Sequence, residues 1–501
     1  MIQILNRNKL LILFILFFLF FRLVELGQVG ETWDEIAKIR NGQIHLKAIT
    51  HLDFSYSTWV THKEHPPLGK ILLALPTYLT TKANISILDD ASIYQVSKQY
   101  NLARLVSLLF ASATLLLTFL IAKRWFNKSV AWIALVGLAM FPHFVAHSFI
   151  ATLESPQTFF VTLLFFLLVI SEKELSQTKK QIVIGVAVAL TLLTKFSSIF
   201  FLPLPFLFSL KYLSIKGVLK VFKENLIIYL LALLLFIVFW PWLWANPVSR
   251  IIQTLNHFNV TRTEYFMGQL VSPPFYYYFY YFVISVPVIY LLGFVIGLKN
   301  IFARKYILVL IWFLLPFIAS FSGFKQNGVR YLHSSFPAFA ILVAVGFDQI
   351  FTVIQEKKQQ ILIYLLLIFS LVITNVRVSP YYLDYYNILV GGSKGVYNNR
   401  LAQIGWWGEG TKQATIFLNS ISKPNDTLCI KLTPAHVLPE ISSNFKVYFD
   451  ETEKITCNSM YLIVNTLDMW RNNYKVESNI YELIYKSEAS NAPIVQVFKH
   501  K

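Results

Sequence analysis

The chain has 501 residues, 56% of them hydrophobic and 16% aromatic, with 14% charged residues, two cysteines and a formal charge of +18. This composition excludes an ordinary soluble globular protein, and apolar runs that are continuous rather than alternating exclude a membrane β-barrel. The charge does not point to nucleic acid, because Lys and Arg are spread over short connectors between apolar runs, the pattern that orients membrane proteins.

The first apolar run, 10–27, follows Arg7 and Lys9 and is not followed by a small-residue cleavage pattern, so it reads as a span rather than a signal peptide. Further spans are predicted near 99–122, 130–150, 157–171, 225–245, 276–298, 306–322, 331–354 and 361–377, runs able to cross a hydrocarbon core of about 30 Å. The basic connectors Lys123–Lys128, Lys173–Lys180, Lys211–Lys223, Lys299–Lys305 and Lys357–Lys358 are assigned to the cytoplasm together with the N-terminus. The block Gln181–Leu210 has such connectors on both sides, so it must go out and return, as two short helices meeting near Lys195. The expectation is eleven spans in the cell (plasma) membrane and an extracytoplasmic C-terminus.

The loop 28–98, with seven Lys or Arg against seven Asp or Glu, falls outside. Thr32-Trp33-Asp34-Glu35 is a capping-box signature, and Asp34 also suits the positive end of the helix that follows. Ile36, Ile39, Leu46 and Ile49 share one side of that helix, which predicts a segment lying on the membrane surface. His65-Pro66-Pro67 enforces an extended entry to a second short apolar helix over Leu68–Leu79. Lys70 there, and Arg104 at the outer end of the second span, are each compatible with snorkelling to headgroups.

Glu154-Ser155-Pro156 reads as a helix start with Ser155 as N-cap and Pro156 at the first helical position. Lys195, inside Leu192-Leu193-Thr194-Lys195-Phe196, is harder to treat as structural, since a charge in the membrane costs at least a few kcal/mol without a partner or water. From Val378 the hydropathy falls. Lys423-Pro424-Asn425-Asp426, Val447-Tyr448-Phe449 and Met460–Val464 suggest turns and strands of a small α/β domain over 378–501, separate from a membrane domain over 1–377. Cys429 and Cys457 both lie in it, which leaves a disulfide open.

By this topology Asp34, Glu35, His65, Lys70, Arg104, Glu154, Lys195, Lys325 and Arg330 all come out near the outer interface. Carboxylates facing several cations suit displacement of a phosphate leaving group: the cations stabilise developing charge while a carboxylate takes the proton of an attacking hydroxyl. His45, His51, His62 and His65 lack a tight ligand spacing, so no metal or other cofactor is firmly implied, and a divalent cation is left open without support from the sequence.

The chain resembles glycosyltransferase family 39, the protein O-mannosyltransferase and aminoarabinose-transferase type of C-type membrane glycosyltransferase. The residues that carry this are Asp34-Glu35, His65-Pro66-Pro67-Leu68-Gly69-Lys70, Arg104, Leu193-Thr194-Lys195, Pro273-Pro274-Phe275-Tyr276-Tyr277-Tyr278, Lys325 to Arg330-Tyr331, and Tyr385-Tyr386-Asn387 with Gly391-Gly392. The resemblance implies an all-α polytopic membrane domain plus the small extracytoplasmic α/β domain. It also implies inverting transfer of a sugar, a mannose-type or other hexose or pentose, from a polyprenyl- or dolichyl-phosphate donor at the extracytoplasmic face.

Carried over, Asp34 is the base and Glu35 positions it or the loop, together forming the catalytic pair. Arg104, Lys195 and Lys70 hold the donor phosphate, His65 shapes the pocket beside it, and Lys325 and Arg330 bind phosphate or acceptor from the opposite wall, with Glu154 as site support. The acceptor, whether lipid, glycan or protein, does not carry over: eukaryotic members hold a large luminal domain where the loop 246–275 is short here. A transporter or lipid flippase is the competing reading, but the chain shows no matching halves and its charges gather at one face.

Overall fold

The computed structural model describes residues 9–61, 63–81, 100–210, 215–323, 325–431, 441–449 and 459–501. Among these, six helices are long and apolar enough to cross a membrane: Tyr100–Trp125, Glu154–Glu172, Val221–Val238, Arg304–Phe321, Gly328–Val353 and Lys357–Val378. Two bent pairs raise the number to eight. The remaining runs form the shorter or more polar helices Lys9–Glu25 and Gln177–Thr194 and the short pieces Phe196–Phe201 and Pro203–Ser209.

The bends mark where the uniform spans read from sequence break. The 130–150 span divides into Lys128–Ala139 and Pro142–Ser148, turned by 66°, and the 276–298 span divides into Tyr277–Ser285 and Val288–Asn300, turned by 112°. In both places a proline, Pro142 or Pro287, denies the continuing helix a backbone donor and forces its predecessor out of the helical region. Lys195 sits in an extended conformation (φ −156°, ψ 134°) between Gln177–Thr194 and Phe196–Phe201, so the two helical pieces meet at the residue where the sequence placed their junction.

Val221–Val238 and Lys357–Val378 leave Leu226, Leu230, Leu234, Leu362, Leu366 and Phe369 exposed, a surface suited to lipid. The inner helices pack closely. A Cβ on Gly346 would stand 1.9 Å from the Gly293 carbonyl oxygen, so the absence of a side chain is what lets Val288–Gly297 and Phe336–Val353 meet, the small-residue contact common between membrane helices.

The segment after the first helix holds Trp33–Thr50 and Pro67–Thr81, packed side by side. Gly42 permits this, since a Cβ there would lie 2.1 Å from the Lys70 carbonyl oxygen. Neither helix is among the candidate spans.

Beyond Val378 the chain builds a mixed five-stranded sheet. Its strands are β3 (Asp426–Lys431), β4 (Phe445–Phe449), β5 (Tyr461–Asn465), β6 (Tyr481–Ala489) and β7 (Ala492–His500), in the order β4-β3-β5-β7-β6; the hairpin β1 (Glu264–Phe266) and β2 (Gln269–Val271) lies earlier in the chain. β3 runs parallel to β4 and β5, and β7 is antiparallel to β5 and β6. Leu428, Ile430, Ile463 and Val495 pack with Ala414 and Leu418 of the Thr411–Ile421 helix, while Cys429, Leu462 and Phe498 fill the other face, the alternation that a pleated strand dictates. Cys457 and His62 lie outside the described residues.

The two parts are tied together. Tyr382 bonds Glu25 at 2.8 Å, Gln413 Nε2 donates to the Gln28 carbonyl at 2.5 Å, and Lys412 Nζ donates to that of Gly27.

Candidate active site

The capping box forms. The Thr32 amide donates to Glu35 Oε2 at 2.9 Å, which fixes the start of Trp33–Thr50. Glu35 is wholly buried, and its other oxygen accepts from Arg104 Nε and the Ala151 amide, both at 2.7 Å. Arg104 spends its five N–H groups within the protein: two on Glu35 and three on the carbonyls of Leu26, Val29 and Gly30. Glu35 and Arg104 thus form a buried structural pair that fixes the loop, in line with the positioning role expected of Glu35, and in this geometry Arg104 offers no donor toward a phosphate. A fully used guanidinium has no donor left for a ligand.

Asp34, one residue earlier, points elsewhere. Its carboxylate is 24% exposed and lies 2.5 Å from Arg330 Nη1. Burial works to raise the Asp34 pKa, but Arg330 and then Lys38 outweigh it and hold the carboxyl below its ordinary value. It is ionised at neutral pH.

Arg330 also bonds Glu154 through Nε and stacks on Trp407, 4.3 Å from the ring centroid. Glu154 in turn accepts from Lys195 Nζ at 2.7 Å, and that ammonium lies over the Tyr331 ring at 4.8 Å. Asp34, Arg330, Glu154 and Lys195 thus form one chain of alternating charge, drawn from four separate elements. Burial makes each link strong and each vacancy costly.

The helix begins at Glu154, two residues before the expected Pro156, with Leu153 and not Ser155 at the N-cap; the Ser155 hydroxyl donates to the His147 carbonyl at 2.6 Å rather than accepting an amide. Beneath Glu154, Thr158 bonds His333 at 2.6 Å and His147 packs edge-on to His333 at 4.8 Å.

The other expected residues stand around this network. Lys70, in the first turn of Pro67–Thr81, is buried and donates to the His65 carbonyl at 2.9 Å; the His65 ring rests against Phe258 at 5.8 Å. Lys325 donates to the Ser322 carbonyl at 2.5 Å and forms no ion pair with the three carboxylates. Beside Lys195 a cavity of about 320 Å³ is lined by Phe196, Ile199, Phe200, Leu255, Phe258 and Tyr331 among others. His45, His51 and His65 do not converge: His45 stacks on Trp59 at 4.5 Å, and His51 bonds Thr50 at 3.1 Å.

Sequence reasoning missed Lys38 and Trp407. Lys38 follows Asp34 by four residues, a spacing that puts both on one side of a helix. Trp407 carried no signal in its sequence neighbourhood, yet its backbone is left-handed (φ +52°), a conformation that costs a tryptophan roughly 1–3 kcal/mol and persists only where its surroundings fix it.

Residues 58–256 match the model of the dolichyl-phosphate-mannose-protein mannosyltransferase family. The chain carries a domain of this family. The resemblance to glycosyltransferase family 39 is borne out, and with it a membrane glycosyltransferase. The fold is similar to that of ArnT from Cupriavidus metallidurans in the apo state, with 12% identity, 98% of each chain covered and a TM-score of 0.54. Against ArnT bound to undecaprenyl phosphate the identity is 13%, the coverage again 98% of each chain and the TM-score 0.52. No curated protein matches the chain. The family domain and the ArnT-like fold do not favour a transporter or flippase.

Proposed function

We propose that this protein transfers a sugar from a polyprenyl- or dolichyl-phosphate donor to an acceptor hydroxyl at the extracytoplasmic face, with inversion at the anomeric carbon. The observation that carries the reading is Asp34. Of the three carboxylates in the cluster, Glu35 and Glu154 are fully buried and Asp34 is 24% exposed.

In this reaction the acceptor O–H proton passes to the Asp34 carboxylate as the oxygen attacks the anomeric carbon. The bond from that carbon to the phosphate oxygen breaks, and its electron pair leaves with the phosphate. Lys195 and Lys70, with His65 shaping the entry, supply the positive field, while Arg330 holds Asp34 in place. Charge that develops on phosphate in a site withdrawn from water is stabilised most by cations already in position. The apolar cavity beside Lys195 suits a prenyl chain, and ArnT, which shares the fold, has been solved with undecaprenyl phosphate. The 1–377 part would hold the chemistry, and the 378–501 part would close the site through Trp407.

The test is to reconstitute the full chain in liposomes with a panel of polyprenyl-phosphate sugars and to measure release of polyprenyl phosphate. Release with at least one sugar, dependent on an added hydroxyl acceptor, is expected. Release with none of them would overturn the reading.

A further inference from the structure

Lys38 lies one helical turn after Asp34 on Trp33–Thr50 and is 4% exposed. Among the described residues its ammonium meets no hydrogen-bond acceptor and no carboxylate within ion-pair distance, although Asp34, Lys70 and Lys195 all feel its charge. The stem of Lys38 is buried, but its ammonium nitrogen is not sealed off, so an incoming anion can reach it and form a charge-assisted hydrogen bond.

The neighbouring cations are already engaged. Arg104 has no N–H to spare, and Arg330 and Lys195 are each paired with a carboxylate, so they add to the field of the site without offering it an unpaired charge. Lys70 donates to a backbone carbonyl. We infer that Lys38 receives the phosphate of the lipid-linked donor and holds it as it leaves, an inference that rests on the glycosyl-transfer reading above. One helical turn rises about 5.4 Å, a length comparable to the distance from an attacking oxygen to a departing one across the carbon between them. Asp34 and Lys38, on one side of one helix, therefore address the two ends of the displacement: the base takes the proton of the entering hydroxyl and the ammonium meets the phosphate that departs.

The experiment measures binding of undecaprenyl phosphate and of undecaprenol, which lacks the phosphate, to the purified full chain and to Lys38→Met and Lys38→Arg. Wild type binds the phosphate more tightly than the alcohol. Lys38→Met loses at least about tenfold for the phosphate with the alcohol unchanged, Lys38→Arg restores most of that loss, and in turnover the donor KM rises more than kcat falls. Lys38→Met binding the phosphate as wild type does overturns the inference and leaves the glycosyl-transfer reading intact. Equal loss for both lipids also overturns it, by making Lys38 structural. Wild type that does not distinguish phosphate from alcohol removes the donor assignment itself.

Discussion

Asp34 Oδ2 and Arg330 Nη1 meet at 2.5 Å, joining the first turn of the Trp33–Thr50 helix to the start of Gly328–Val353 far along the chain. Arg330 holds the same carboxylate that is open to an arriving hydroxyl. Neutralising Asp34 should therefore remove the proton acceptor without emptying the core. Asp34→Asn is expected to lower transfer by about 10²–10⁴-fold, the usual worth of a general base, while the variant elutes and inserts like wild type. Turnover close to the wild-type rate would remove Asp34 from the chemistry.

Glu35 is a different case, although it is the next residue. With Arg104 it forms a pair in which both side chains are 0% exposed. Loss of one partner leaves a buried charge alone, at a cost of roughly 3–5 kcal/mol. Arg104→Ala and Glu35→Ala should each lower yield and thermal stability strongly. Residual folded protein should keep wild-type affinity for polyprenyl phosphate, and a selective loss of that affinity in a stable Arg104→Ala protein would contradict the structural assignment.

Glu154 neutralises both Lys195 and Arg330. Glu154→Gln leaves two cations facing each other in a site withdrawn from water, so the variant should unfold at lower temperature. Adding Lys195→Met removes one of the repelling pair, and the double variant should be more stable than Glu154→Gln alone. Residues sharing a network couple by about 0.5–3 kcal/mol. Strict additivity in a thermal-shift cycle would show that the contact carries no such coupling.

Much of this site was readable from the residues. The capping box, the helix it starts and the break at Lys195 follow from local rules, because the residues that set each of them are close in sequence. Which of two adjacent carboxylates faces inward was not readable. Asp34 and Glu35 differ by one helical step, and the choice is made by Arg104 and Arg330, each brought from another span. The same holds for Trp407, which reaches Arg330 only because the C-terminal part docks on the loop after the first helix. Pro142 and Pro287 were visible, but continuous hydropathy on both sides concealed the bends they produce.

Burial pulls the Lys70 ammonium down to about 7, with Glu64 opposing and Lys38 adding to the shift. Lys70 is therefore increasingly charged as pH falls through neutrality and neutral as it rises. If it assists phosphate, the donor KM should increase between about pH 6 and pH 8, and Lys70→Met should show the high-pH value throughout. A pH-independent donor KM in wild type would exclude that role.

Glu31 offers a test that does not depend on catalysis. Burial first, and then the neighbouring Glu35, raise its carboxyl from 4.5 to about 8 against the pull of Arg104. Between those values the native carboxyl is protonated while that of the unfolded chain is ionised, so folding takes up a proton and stability falls as pH rises. Above the native value the penalty is complete and constant. Glu31→Gln cannot ionise and escapes it, so the variant should match wild type near the bottom of this window. It should become progressively more stable than wild type up to about pH 8, by an amount on the order of a few kcal/mol, read as a growing difference in thermal midpoint. A difference that stays flat, or shrinks as pH rises, would show that Glu31 is ionised in the folded protein.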